Sequence, residues 1–370
     1  MGASDKEIDL DTSVVTGANQ SSQEKYGDKT LEELTEMVDK MRDPAYLATI
    51  SMRELFETVY ESKPPLIDGL LYPGTYLLAG GPKLGKSFLV AQLAYHVSTG
   101  TPIWNYAVRQ GAVLYMALED GNQRLQRRMY RMYDTKIADQ LYFATHAHKL
   151  GNGLDEQLER FVQEHPDTEF IIIDTLQRVR EFGGEAYNYA SDYDIISRLK
   201  GFADHHDICL ILVHHVRKEK GKDVFESISG TNGLLGAADG ALVFAKPERK
   251  ANVATLDITG RDQPDQCLHL YRDEKSLCWE LERSETELWQ APPEPILDAV
   301  VAFVNAENPE WSGSPTELVE ALSVDIKANA LTMKLNVNTG RLYLEHGIRY
   351  WNRRTHDGRR IFLQYEPQST

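Results

Sequence analysis

Cysteine is scarce in this chain of 370 residues, which contains Cys209, Cys267 and Cys278. None of the three stands in a C-x-x-C pair, so the sequence offers neither the ligand spacing of a zinc knuckle nor a disulfide framework. Cys209 lies inside an apolar run and is interpreted as a core residue. Because disulfides are not expected, a reducing compartment is the predicted location, and we expect the protein in the cytosol.

Long apolar runs and a positive net charge are also missing. No stretch approaches the roughly 18 apolar residues that span a bilayer, and the first residues lack the basic-then-apolar pattern of a secretion signal, so no membrane contact is expected. The formal net charge is −16, which excludes a protein that coats nucleic acid with its whole surface. Any nucleic-acid contact must be local, in a pore or a small basic domain.

Hydrophobic residues make up 42% of the chain, which is enough for a sizeable globular core. Residues 1–28 are polar and predict a disordered tail, and residues 29–65 predict a short helical segment. From 66 to 290 apolar strand-like runs alternate with amphipathic helical stretches, which predicts an α/β domain with a mostly parallel sheet flanked by helices. Three closely spaced runs between 253 and 281 are expected to extend this sheet in antiparallel fashion.

A cluster of prolines at 292, 293 and 295 marks a linker to a small C-terminal unit, residues 294–367. Its pattern predicts helices at 296–305, 315–322 and 326–346, followed by a two-stranded hairpin over 348–365. Three helices followed by a hairpin are the outline of a winged helix.

A glycine-rich segment with the spacing G-x-x-x-x-G-K-S connects a predicted strand to a predicted helix. Its backbone N–H groups and the start of the helix suit phosphate oxygens. Lys86 is expected to reach the β- and γ-phosphates of ATP, and Ser87 is expected to bind Mg²⁺. The predicted nucleotide contacts are Gly80, Gly81, Pro82, Lys83, Leu84, Gly85, Lys86, Ser87 and Phe88.

Carboxylates follow two further buried strands. Four apolar residues precede Asp174, which is predicted to hold Mg²⁺ beside Ser87, although a carboxylate there could also simply cap a helix. A second apolar strand ends in Glu119 and Asp120. Glu119 is the candidate general base that activates water, and Asp120 is the alternative.

A third apolar strand ends in His214 and His215. A histidine pair could bind a metal, but no further ligands cluster nearby in the sequence. A sensor that reports the presence of the γ-phosphate to the following loop is the favoured interpretation.

Together these segments resemble the RecA-like ATPases, and among them the RepA-type hexameric helicases of plasmids and related mobile elements. The resemblance covers residues 50–285, including the phosphate loop and the segments L-E-D, I-D-T-L and L-V-H-H. It implies a homo-oligomeric ring, expected to be hexameric, with ATP between subunits and with His215 as the sensor. It also implies that Arg261, in the segment T-G-R-D, reaches the γ-phosphate of a neighbour. The family's companion lysine, two residues earlier, is replaced here by Thr259.

The resemblance further places two loops, after the Asp174 and His215 strands, in the central channel of such a ring. The second loop is basic and suits a single DNA strand, although it could also be a solvated surface loop. The C-terminal hairpin is basic too, and it could bind duplex DNA or a protein. The expected DNA contacts are Arg217, Lys218, Lys220 and Lys222 in the loop and Arg353, Arg354, Arg359 and Arg360 in the hairpin.

The leading hypothesis is an ATP-dependent DNA helicase or translocase that acts on single-stranded or forked DNA in the replication of a mobile element or phage, with other replication proteins as partners. Two alternatives stay open: an oligomeric DNA-binding ATPase that does not unwind DNA, and a regulatory ATPase that acts on proteins.

Overall fold

The structure is a computed structural model that describes residues 40, 43–60, 63–180, 189–215, 224–225, 228, 232–248, 250–261, 263–286, 293–355 and 358–366. The described residues up to Val59 and the described residues from Tyr60 onward form separate compact units. In the first unit, helix α1 (Met52–Glu57) begins after Ser51, whose side chain accepts a hydrogen bond from the Glu54 backbone while Glu54 bonds back to Ser51. This reciprocal cap explains how so short a helix is held. The predicted tail at 1–28 lies outside the described residues.

Nine strands form one large sheet in the second unit. In space they follow the order β3-β2-β4-β5-β1-β6-β7-β8-β9, and the first six of these are parallel while the last three are antiparallel. The strands are β1 (Gly74–Gly80), β2 (Ala112–Ala117), β3 (Leu141–Ala144), β4 (Thr168–Asp174), β5 (Cys209–His215), β6 (Gly240–Ala245), β7 (Val253–Gly260), β8 (Gln263–Arg272) and β9 (Trp279–Thr286).

Helices cover both faces of the parallel part. The apolar side chains of alternate strand positions divide into two buried clusters, one packed against α2 and α3 and the other against α4, α5, α6 and α7. Side chains that alternate between two covered faces explain why these strands read as continuous apolar runs. The helices are α2 (Lys86–Thr99), α3 (Asn122–Tyr133), α4 (Leu154–Glu164), α5 (Leu176–Val179), α6 (Tyr189–His206) and α7 (Asn232–Ala237).

The predicted α/β class is confirmed, with its mostly parallel sheet and its antiparallel extension. Strand β1 is buried at all seven positions and pairs with β5 on one side and β6 on the other. The carboxyl ends of β1, β2, β4 and β5 therefore meet at one edge of the sheet, where loops can gather ligand-binding side chains. No described helix is long and apolar enough to cross a bilayer.

The C-terminal elements include a second, three-stranded sheet. It is antiparallel in the order β10-β12-β11, and four helices precede or join it. The elements are α8 (Pro295–Phe303), β10 (Glu310–Gly313), α9 (Pro315–Leu322), α10 (Ala328–Val337), α11 (Thr339–His346), β11 (Ile348–Thr355) and β12 (Gly358–Tyr365).

The prediction of one helix over 326–346 was wrong, because the structure has two helices there, which are separated at Asn338. The Asn338 backbone has φ −102° and ψ 18°, and its side-chain amide donates to the Lys334 carbonyl over 2.8 Å. The Thr339 hydroxyl likewise bonds to the carbonyls of Leu335 and Asn336. Asn and Thr side chains that bond backbone carbonyls compete with the helical ladder. Strand β10 was not anticipated, because it is a four-residue edge without apolar alternation.

Gln92 of α2 joins this helix to the first residue of β9. Its amide nitrogen donates to the Trp279 carbonyl over 2.8 Å, and its amide oxygen accepts from the Trp279 backbone N–H over 2.7 Å. Both side chains are buried. Gln92 thus bonds both backbone groups of Trp279, and the Trp279 carbonyl accepts a further hydrogen bond from Nε1 of Trp104 over 2.6 Å.

We expect Gln92→Leu to lower the free energy of unfolding by about 2 kcal/mol, because the buried Trp279 N–H loses its partner, while the Trp279 carbonyl keeps its bond from Trp104. Urea unfolding, followed by circular dichroism, measures this loss. Gln126→Leu, at an exposed position of α3, is the matched control and should change stability by less than about 0.5 kcal/mol. Equal effects of the two substitutions would contradict the assigned role of Gln92.

Candidate nucleotide-binding site

The loop between β1 and α2 occupies the centre of the sheet edge. Lys83 has a φ of 63° and Gly85 a φ of 109°, so the chain turns sharply before α2 begins at Lys86. A Cβ on Gly80 would lie 2.5 Å from the Phe244 carbonyl oxygen, and a Cβ on Gly85 would lie 3.2 Å from the Trp279 ring. Glycine at both positions lets the loop curl tightly and turn its N–H groups inward, as phosphate binding requires.

Lys86 is folded back onto this loop. Its Nζ donates to the carbonyl oxygens of Gly80 over 2.6 Å and of Gly81 over 3.0 Å, and the residue is 6% exposed. Burial lowers the pKa of Lys86 to about 8, and the charges of Asp174 and Glu119 partly oppose that shift. An anionic ligand would stabilise the charged form of Lys86, because a nearby negative charge opposes the effect of burial on its pKa.

Asp174, the last residue of β4, is buried and meets the start of α2. The Tyr115 hydroxyl of β2 donates to its carboxylate over 3.0 Å. Burial raises the pKa of Asp174, while hydrogen bonds from Ser87 and Tyr115 oppose that change. Ser87 and Asp174 therefore come together as predicted. The contribution of Tyr115 was missed, and its one sign in the sequence is a hydroxyl within an otherwise apolar strand.

A hydroxyl and a carboxylate that touch each other are the ligand chemistry Mg²⁺ takes when phosphates and water complete its shell. The paired Ser87 and Asp174 side chains thus fit the predicted ion. Among the described residues, no group of three or more His, Cys, Asp and Glu side chains is placed to hold a metal.

Glu119 and Asp120, which the sequence could not separate, differ in their partners. The Thr175 hydroxyl donates to Glu119 over 3.2 Å, and the charge of Glu119 acts on both Lys86 and Asp174. Glu119 is thus exposed at the phosphate loop.

Asp120 is held by two arginines of α3 instead. Its carboxylate lies 2.6 Å from Nη2 of Arg128 and 3.0 Å from Nη1 of Arg124. The Asp120–Arg128 pair is nearly buried, so this carboxylate is engaged in holding α3 against the sheet edge. The geometry favours Glu119 over Asp120 as the group next to a bound phosphate.

His215 ends β5 and stands opposite Gly80 in the parallel register. Its Nδ1 is buried and has no hydrogen-bond partner among the described residues. A buried ring nitrogen that lies beside the phosphate loop and has no described hydrogen-bond partner is consistent with a phosphate sensor. His214, its neighbour, is buried on the β5 strand.

Arg261 lies at the opposite end of the sheet. It follows Gly260 of β7, which pairs with Gly240 of β6, and Gly240 stands beside Tyr76 near the start of β1. The seven residues of β1 separate this end from the phosphate loop by about 20 Å. The structure therefore does not bring Arg261 to the Lys86 of its own chain.

The predicted DNA contacts fall in two places. Arg217, Lys218, Lys220 and Lys222 lie outside the described residues. The C-terminal four stand in facing pairs near the tip of the β11–β12 hairpin, Arg353 opposite Arg360 and Arg354 opposite Arg359.

The chain is similar to one protein family and to solved structures of a replicative helicase and of an ATPase domain. A family model described as an AAA domain matches residues 42–221, just under half of the chain. No curated protein sequence matches it. A solved structure of a DnaB-like replicative helicase, described with its interactions with primase, shares 15% sequence identity and a TM-score of 0.50, over 70% of this chain and 74% of that one. A solved ATPase domain shares 14% identity and a TM-score of 0.47, over 68% of this chain and 99% of that one.

The chain shares its fold with the DnaB-like replicative helicase structure: a large, mostly parallel sheet flanked by helices, with an antiparallel extension. The site residues gathered at the carboxyl edge lie where ligands bind in open α/β sheets.

We expect Glu119→Gln and Asp120→Asn to act on different properties. Glu119→Gln should lower the kcat of ATP hydrolysis by about 10² to 10⁴ and leave nucleotide binding intact, since it removes only proton acceptance. Asp120→Asn should instead lower the free energy of unfolding by about 3 kcal/mol, because Arg128 stays buried without a charged partner. Steady-state hydrolysis, binding of a fluorescent ATP analogue and thermal unfolding measure the three quantities. A larger loss of kcat in Asp120→Asn would reverse the assignment.

Proposed function

We propose that this chain is an ATP-hydrolysing DNA helicase or translocase that works as a homo-oligomeric ring. The observation that carries the ATPase part is the meeting of Lys86, Ser87, Asp174 and Glu119 around one glycine-rich loop. Each group comes from a different strand end or from the helix start, and together they supply what phosphoryl transfer needs.

The roles follow from the contacts. Lys86 exchanges its carbonyl partners for the β- and γ-phosphates, and its buried ammonium offsets their charge. Glu119, held by Thr175, orients and deprotonates the attacking water. Ser87 and Asp174 would hold Mg²⁺, which when bound neutralises charge on the phosphate oxygens. His215 offers a buried ring nitrogen next to Gly80 and reports the γ-phosphate to the loop that follows β5.

Assembly into a ring is supported by the place of Arg261. This residue is 55% exposed and lies at the end of the sheet away from its own phosphate loop. An arginine that stabilises transition-state charge must touch the phosphates, so Arg261 can serve only the nucleotide of a neighbouring copy. We propose a hexamer, in line with the resemblance to RepA-type helicases.

Action on DNA in replication is supported by the fold shared with a DnaB-like replicative helicase. That protein is described with primase, and a primase-like replication protein is a proposed partner here too. We further propose replication of a mobile element or phage as the setting. The alternative, an oligomeric DNA-binding ATPase that does not unwind, has the same catalytic site and differs in its action on a duplex.

We expect Lys86→Ala to abolish ATP hydrolysis, and the wild-type protein to hydrolyse ATP faster with single-stranded DNA and to unwind a forked duplex. Strand separation with a labelled fork and phosphate release measure the two activities. Lys136→Ala, which changes an exposed lysine outside the phosphate loop, is the control and should retain most hydrolysis. Full turnover by Lys86→Ala would refute the site, whereas hydrolysis without unwinding would favour the non-motor alternative.

The C-terminal unit is proposed as a winged helix that binds duplex DNA. Its order of helices with a three-stranded sheet supports this class. Residues 326–365 carry eight Lys and Arg and two acids, a net charge of +6, against −16 for the whole chain. Arginines near the tip of a hairpin are side chains of the kind that contact the phosphate backbone of duplex DNA.

We expect the joint change of Arg353, Arg354, Arg359 and Arg360 to Gln to weaken duplex binding and to reduce the slope of log Kd against log salt by up to about 4, one for each lost phosphate contact. Fluorescence anisotropy at several salt concentrations measures this slope. Neutralising Lys327 and Arg341 to Gln, outside the hairpin, serves as a control. An unchanged slope in the hairpin variant would favour a protein-binding role.

A further inference from the structure

A polar cavity of about 190 Å³ opens at the end of the sheet where β1 begins. Its charged lining consists of Lys200 and Asp204 from α6, Asp239 just before β6, and Arg261 just after β7. Two cations and two carboxylates thus lie together, far from the phosphate loop. The ion pairs that these four side chains form determine whether the Arg261 guanidinium is available to a ligand.

Asp239 is fixed in place. Its carboxylate accepts a hydrogen bond from the Thr75 backbone N–H over 3.0 Å, and its own N–H donates to the Thr75 carbonyl over 2.8 Å. A Cβ on Gly74 would lie 2.9 Å from its Oδ2, so the glycine leaves just enough room. The cations must arrange themselves around this carboxylate.

Lys200 takes the near position. Its Nζ lies 2.6 Å from both oxygens of Asp239 and 3.0 Å from Asp204. Burial alone would lower the pKa of Lys200, but the hydrogen bonds to the two carboxylates outweigh it and raise the pKa. Lys200 therefore stays charged, and Asp239 and Asp204 of the same chain neutralise that charge.

Arg261 takes the far position. Its Nη1 is 3.7 Å from Asp239, and its Nη2 donates to the Gly236 carbonyl over 3.1 Å. The side chain is 55% exposed, whereas that of Asp239 is 17% exposed. Arg261 is thus oriented by a neutral carbonyl and a distant carboxylate, and it forms no close ion pair with any residue that the structure describes.

We propose that Lys200 is a positioning residue for Arg261, because it occupies Asp239 and so keeps the guanidinium turned outward for the phosphates of a neighbouring copy. This inference rests on the proposed function of Arg261. Arginine and carboxylate readily form a two-pronged close pair. Without Lys200, Asp239 would draw Arg261 inward into such a pair and withdraw it from the neighbour's nucleotide.

Gln263 supports an outward-facing phosphate contact at this place. It lines the same cavity, it is 9% exposed, and neither atom of its amide group has a hydrogen-bond partner among the described residues. A buried amide without a partner costs free energy unless a ligand or water completes it. A phosphate oxygen that meets Arg261 would find a second donor there.

The test compares ATP hydrolysis by full-length oligomers with substitutions at the four charged residues of the cavity. Lys200→Met should lower kcat about tenfold, a part of the roughly 10³-fold effect of a lost arginine finger, with KM for ATP little changed. Lys200→Arg should restore kcat to within about threefold of wild type, because it also pairs with Asp239. Asp204→Asn is the control and should leave kcat unchanged, since Asp204 contacts Lys200 and the Lys200–Asp239 pair remains.

The deciding variant combines Lys200→Met with Asp239→Asn. It removes the carboxylate that would capture Arg261 together with the lysine that paired with that carboxylate, and the asparagine oxygen still accepts from Thr75. We expect kcat to return to within about threefold of wild type, as the capture by a charged partner is gone. A double variant as slow as Arg261→Ala overturns the proposal, as does a Lys200→Met variant with wild-type kcat.

Arg261→Ala and subunit mixing separate this inference from the proposed function. If Arg261→Ala hydrolyses ATP normally, the trans role of Arg261 fails and the inference falls with it. If Arg261→Ala is slow but Lys200→Met is not, only the inference fails. Lys86→Ala subunits mixed with Lys200→Met subunits should hydrolyse ATP faster than either alone, because each supplies what the other's interface lacks. No gain on mixing contradicts action on a neighbour.

Discussion

Strand β1 is the constraint on which the rest of the structure depends. It is buried along its whole length between β5 and β6, so its position is fixed by backbone hydrogen bonds on both edges and by helices on both faces. The phosphate loop continues directly from its carboxyl end, and α2 continues from the loop. Because β2, β4 and β5 are parallel to it, Glu119, Asp174 and His215 must arrive at the same edge. The strand directions thus determine where the site lies, and the side chains at the strand ends determine its chemistry.

Burial of opposite charges is the energetic condition at that edge. Lys86 and Asp174 are each 6% exposed, and burial shifts both pKa values toward the neutral forms. Hydrogen bonds from Tyr115 and Ser87 to Asp174, and from Lys86 to loop carbonyls, offset part of that cost. Removing one buried ion leaves the other uncompensated. Under the proposed function, the anionic nucleotide compensates the charge of Lys86 and its cation compensates the charge of Asp174. The bound ligand thus offsets the free-energy cost of burying these two groups.

The sequence allowed the sheet class and the phosphate loop to be predicted, because alternation of elements and glycine spacing are local properties. What the sequence could not separate was Glu119 from Asp120, since the difference lies in distant partners, Thr175 for one and Arg128 for the other. The break at Asn338 was also hidden, because helical periodicity continues across it. The Lys200–Asp239–Arg261 arrangement joins residues far apart in the chain, and no local pattern announces it.

The two ends of β1 lie beside two different candidate sites of the chain. Its carboxyl end carries the phosphate loop, while its amino end holds Asp239 through the Thr75 backbone, and Asp239 stands between Lys200 and Arg261. A strand paired on both edges transmits a displacement with little loss, because close-packed interiors do not deform continuously. Under the proposed function, nucleotide binding at one end of the strand and contact with a neighbour's nucleotide at the other are thus linked through a rigid element about 20 Å long.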